Sequence, residues 1–279
     1  VPLKEESMSI MKLIQFNEQH EKYLALPNRL FDYLKQLIQS NKLKKEHLSF
    51  AYGYIYFMTY MYRYAKYQFF VPKAEQIKQL FGYNFKNQQL NYIIKKNGVL
   101  EPILMTTNNF PILVEYEYKQ PKFTCINDIK HDDNWQYWIE QWKKNLGVTN
   151  RSICKLPVFG FHYDYEQGYN ENEVFDGSFY ETYDMTMVDF RIFDFCMSKP
   201  DELGVQAFYI YCWLKWMNEK HDKNFKSTRK RLSDELMISE GSVHKYISFM
   251  KRYRLIDTIN SHSEANAYKI NDFEMVVKN

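Results

Sequence analysis

Apolar spacing is most regular near the carboxyl end, over Ser227 to Ile256. Leu232 and Leu236 fall at i, i+4, and Val243, Ile247 and Met250 fall at i, i+4, i+7, with Ile238 between the two sets. Each set marks one face of an amphipathic helix. Ser239 stands where the second helix needs an N-cap, its hydroxyl able to accept from a first-turn N–H. After Leu255 the period shortens to strand alternation over Ile256 to Ile259. Asn260 to Asn266 reads as a hairpin tip, and Ala267 to Ile270 as the returning strand.

The earlier chain is less regular. A helix is expected after Pro27, with Leu30, Tyr33, Leu34 and Leu37 as its stripe. His47 to Tyr67 is aromatic on nearly every side, as a helix buried between others would be. Phe70 to Phe81 predicts a helix opening after Pro72, and Asn87 to Lys96 another, ended by Asn97-Gly98. Val99 to Met105 and Ile112 to Tyr118 then read as a hairpin, repeating the carboxyl-terminal order, although the apolar register does not repeat. Trp135, Trp138 and Trp142 share one helical face, an expected core or interface. Gly160 to Ser178 is polar and turn-rich and reads as a loop. Met185 to Met197 is a compact helix or strand, and Leu203 to Asn218 a helix covering the pair that follows.

Charge sharpens this picture. The 279 residues carry a formal net charge of +3, yet Lys223 to Arg254 holds nine cations against three carboxylates, a net of +6. Cys125 to Gly204 is acidic, with 15 carboxylates against seven cations. A basic patch of this kind attracts phosphates and displaces their condensed counterions. Asp164, Glu166, Glu171 and Glu173 carry no motif that fixes them around metals, so they read as surface and no catalytic residue is expected. The 4 Cys and 7 His are scattered; no metal site or cofactor is expected, and reduced thiols in a cytoplasmic protein are the simplest account. No apolar run approaches the roughly 18 residues needed to span a bilayer. Abundant Lys, Asn, Ile, Tyr and Phe suits a low-GC bacterium or its mobile elements.

The L-x-x-x-L-x-I-S of Leu232 to Ser239, the S-V-x-x-x-I of Ser242 to Ile247 and Leu255-Ile256 resemble the winged-helix family of DNA-binding domains. The resemblance covers roughly residues 205–272. Many members carry Gly at the positions held here by Met237 and Arg254. The fold class expected is mainly α with small β-hairpins (α+β). Residues 1–124 would form a helical, winged-helix-like domain, 125–202 an acidic aromatic-rich connection, and 203–279 a winged helix. The second helix of such a domain enters the major groove.

Facing outward from that helix are Glu240, Gly241, Ser242, His244, Lys245 and Ser248, with the N-cap Ser239 also in the expected DNA-binding set. Lys245 suits guanine, Glu240 suits cytosine, and Ser242 is permissive. Ser227, Thr228, Arg229, Lys230, Lys251 and Arg252 complete the expected DNA-binding set, the cations among them as backbone contacts. The function expected is non-enzymatic, sequence-specific binding of double-stranded DNA by a transcriptional regulator, as a homodimer. A plasmid or phage replication initiator with tandem winged helices is the alternative, and a protein-interaction scaffold without DNA affinity the second.

Overall fold

The computed structural model describes residues 9–17, 19, 22–64, 70–106, 111–117, 120–125, 153–157, 184–260 and 265–276, with 137, 140, 141, 143 and 144 besides. The expected Trp face and the loop at 160–178 lie outside the described residues. The described part is mainly helical with small antiparallel sheets, the α+β class expected.

The core is built on two helices of 17 residues each, α3 (Leu48–Tyr64) and α7 (Gly204–Lys220). Every residue of α3 except Arg63 is buried, as its unbroken aromatic sequence requires. Gly53 lets the two helices approach closely: a Cβ there would lie 3.1 Å from a Val205 methyl. Around them rings interlock. Tyr56 meets Phe208 edge-on at 4.8 Å, Tyr60 stacks on Phe190 at 3.7 Å, and Phe31 stacks on Trp216 at 5.3 Å. Each buried ring is worth on the order of 2–3 kcal/mol, and a well-oriented pair adds about 1 kcal/mol. The Tyr56 hydroxyl donates to the Val188 carbonyl at 3.1 Å, so its polar end is also satisfied.

Two strands tie the chain together, one that the hydrophobic pattern does not reveal and one within the helix or strand expected over Met185 to Met197. β1 (Tyr23–Pro27) pairs antiparallel with β6 (Met185–Asp189), with Ala25 opposite Met187 at the centre. After the short helix α1 (Ile10–Leu13), each strand leads into a helix, α2 (Arg29–Gln39) and α6 (Phe190–Met197) respectively. Asp189 caps α6 by accepting from Arg191 N–H at 2.8 Å. It also holds the Arg191 guanidinium, which reaches Glu274 at 2.7 Å in the short helix α10 (Phe273–Val276).

A long helix, two shorter helices and a strand follow one another in both halves. In the first, α3 leads to α4 (Ala74–Leu80), the single turn α5 (Asn91–Ile94) and β2 (Met105–Thr106), which pairs with β5 (Lys155–Leu156). In the second, α7 leads to β7 (Lys226–Ser227), α8 (Arg229–Leu236), α9 (Glu240–Arg252), β8 (Ile256–Asn260) and β9 (Asn266–Ile270). These three strands form a sheet in the order β7-β9-β8. Backbone bonds recur at matching places. Ile77 N–H donates to Lys73 O as Leu232 N–H does to Thr228 O, both at 3.0 Å. Tyr83 to Lys78 (2.8 Å) matches Ile238 to Ser233 (3.2 Å), and Gly98 to Lys95 (2.9 Å) matches Arg254 to Lys251 (3.0 Å). The third-strand contact repeats too, as Ile153 to Pro72 and Tyr268 to Phe225. Because β1 pairs with β6 and α3 packs on α7, the two halves share one core.

Two expectations for the first half are corrected. Residues 99–104 form turns, and β3 (Pro111–Glu117) pairs with β4 (Gln120–Cys125), so the expected hairpin of Val99–Met105 with Ile112–Tyr118 does not form. The helix expected over Asn87 to Lys96 shrinks to α5. Asn84 and Asn87 explain it: their side-chain oxygens accept from Lys86 N–H (2.8 Å) and Gln89 N–H (2.9 Å). Such local bonds offer the backbone an alternative to a helical ladder.

Candidate nucleic-acid interface

α8 and α9 meet through a tight turn at Met237, whose φ is 54°. Leu232 and Leu236 of α8 and Val243 and Met250 of α9 are fully buried, and Ile247 is half-buried, so the aliphatic stripes face inward. Thr228 caps α8 by accepting from Arg231 N–H at 3.1 Å. Ser239 caps α9 by accepting from Ser242 N–H at 3.2 Å, and its own hydroxyl donates to that of Ser242 at 2.8 Å.

With one side anchored, the other is free. Glu240, Gly241, His244, Lys245 and Ser248 are exposed along α9, and Ser242 is half-exposed. Ser239, Arg229, Lys230 and Lys251 are exposed as well, and Thr228 is partly so. Ser227 is the exception. It is buried at 2% exposure in β7, its hydroxyl donating to the Thr228 carbonyl at 3.3 Å, so it is not available to a ligand at the surface.

The cations are differently committed. Lys245 has no carboxylate partner among the described residues, and its ammonium lies over the Tyr246 and Phe249 rings at 5.4 and 5.8 Å. Arg252 lies over Phe249 and Tyr253 at 5.2 and 4.9 Å. Its guanidinium also bonds the Glu202 carboxylate, which accepts from the Tyr253 hydroxyl too. Those bonds hold the Glu202 carboxyl below the usual carboxylate range. Arg252 is therefore part of an ion pair that fixes the end of α9, a role its sequence does not reveal. Glu235, one of the three carboxylates in the basic segment, is drawn off by Lys35 of α2 at 3.2 Å.

Among the described residues the first half offers no matching ridge. α5 is one turn long and buries Ile93 and Ile94. What sequence reasoning missed lies beside α9. A solvent-open groove of about 460 Å³ separates Lys45 and Ser49, at the start of α3, from Ser242 and Tyr246. The Lys run at 42–45 was its only signal, and a charge run reads as solvated surface.

Among the described residues no group of three His, Cys, Asp or Glu side chains is placed to hold a metal, and no helix is long and apolar enough to cross a membrane. Cys196 and Cys212 are buried and Cys154 is half-buried, all free thiols. Comparison with protein-family models, curated proteins and solved structures finds no match to this chain.

Proposed function

We propose that the chain is a non-enzymatic, sequence-specific double-stranded DNA-binding protein whose second half acts as a winged helix, with α9 as the recognition helix. The observation that carries this reading is the division of α9. Its aliphatic side is buried while Gly241, His244, Lys245 and Ser248 form an exposed stripe, and Arg229 and Lys230 of α8 and Lys251 of α9 are exposed as well. An α-helix presented in this way fits the major groove, with cations positioned for phosphates at its edges. The helix–strand–helix–helix–hairpin order of 204–270 and the β7-β9-β8 sheet support the winged-helix assignment.

Two roles share this interface. A transcriptional regulator would bind a promoter operator, as a homodimer where the operator is palindromic. A plasmid or phage replication initiator would bind origin repeats, and the recurrence of one element order in both halves favours this second reading. Salt-dependent affinity for duplex DNA separates both from a protein-interaction scaffold, which would show none. Selection of bound fragments from the source genome then distinguishes promoter from origin by where the fragments lie. Failure to retain any duplex at low salt contradicts the proposal.

A further inference from the structure

The loop that carries Lys42, Lys44 and Lys45 belongs to the first half, yet its Lys45 and Glu46 line a groove shared with Ser242 and Tyr246 of α9. All three lysines are exposed, while Leu43 and His47 between and after them are buried. The Tyr92 hydroxyl pins the loop, accepting from Lys44 N–H at 3.0 Å and meeting His47 Nδ1 at 3.0 Å. The loop is thus held in place with its cations outward, and ordering it on binding costs little. The Lys35–Glu235 pair fixes the neighbouring α2 against α8.

Lys45, Glu46 and Ser49 form one wall of the groove, and Ser239, Ser242 and Tyr246 form part of the other. Lys45 has no carboxylate within ion-pair distance among the described residues. At the matching turn of the first half, Gly82 packs directly on Pro200, where a Cβ would lie 2.4 Å from the proline ring.

We infer that this groove receives the phosphodiester backbone of the DNA strand flanking α9. Lys45 makes the contact at the groove, and Lys42 and Lys44 continue the cationic track. The contact is to phosphate, so it adds affinity and register rather than base choice. Glu46 opposes it, and the loop's net charge from these four residues is +2. This inference rests on the DNA-binding reading of α9.

The test measures the binding of a labelled duplex across a salt series, from about 50 to 200 mM. The protein is the full chain, as wild type and as the Lys42→Ala/Lys44→Ala/Lys45→Ala variant. These residues are exposed, so the variant keeps its circular dichroism and melting temperature. Each lost phosphate contact lowers the slope of log K against log salt by about 0.9, so a fall of about 2 to 3 is expected. The loss is the same on a selected site and on random sequence. Glu46→Gln tightens binding at every salt concentration. An unchanged slope in the triple variant, with wild type binding normally, overturns the inference and leaves the α9 reading intact. Absence of binding by wild type overturns both.

Discussion

Met237 and Arg254 bracket α9 with left-handed backbone, at φ 54° and 55°. Neither is glycine, and an L-residue in this conformation carries a cost of about 1–2 kcal/mol. Arg254 is exposed, and its carbonyl, not its side chain, is what Asn271 bonds, at 3.0 Å. Arg254→Gly therefore relieves strain without removing a described side-chain contact. Part of the gain is offset by glycine's larger unfolded-state entropy. A stabilisation of roughly 0.5–1 kcal/mol is expected in urea denaturation. Destabilisation would show that the arginine side chain does more than fill the turn.

Gly82 is the opposite case, at φ 79° and against Pro200. Gly82→Ala combines a left-handed alanine with an overpacked contact to a stiff ring. The loss expected is about 2–4 kcal/mol, read as a lower denaturation midpoint at unchanged m-value. A loss under 0.5 kcal/mol would mean that the turn relaxes away from Pro200.

Glu101 and Lys155 give the chain an acid-sensitive joint. Their side chains meet at 2.7 Å, and Thr106 bonds both. Burial lowers the Lys155 pKa, with the Glu101 carboxylate opposing that shift. For Glu101, burial favours the neutral acid, but bonds from Lys155 and Thr106 outweigh it and hold the pKa below its ordinary value of 4.5. A carboxylate with a depressed folded pKa stabilises above its unfolded pKa and loses that contribution as pH falls through the folded value. Glu101→Gln should cost about 2 kcal/mol at pH 7, where it leaves a buried ammonium without its counter-charge. The difference from wild type should shrink progressively below about pH 4.5. A difference independent of pH from 7 to 3 would contradict an ionic role.

Local periodicity carried much of the second half. The stripes of α8 and α9, the Ser239 cap and the strands at 256–260 and 266–270 were all readable because neighbours in sequence form them. So was the burial of α3. The β1–β6 pair was not, since Tyr23 and Asp189 meet only through the tertiary fold and five-residue strands ending in Pro27 or leading straight into a helix show little alternation. The recurrence of element order was visible, but its extent was hidden because Asn84 and Asn87 cut the α9 counterpart down to one turn. Within the site, exposed positions followed from the stripe. Ser227 in a strand, Arg252 on Glu202 and the groove beside Lys45 depend on distant segments that no spacing rule connects.

Base reading by α9 is tested most directly by comparing wild type with Lys245→Ala on two duplexes, the selected genomic site and a scrambled version of it. Lys245 is exposed on the outer stripe and packs only on neighbouring rings, so the variant should fold normally. Affinity for the selected site should fall by about 1–3 kcal/mol, with a much smaller loss on the scrambled duplex. Equal affinity of variant and wild type for the selected site would contradict the assignment of α9 as the recognition helix.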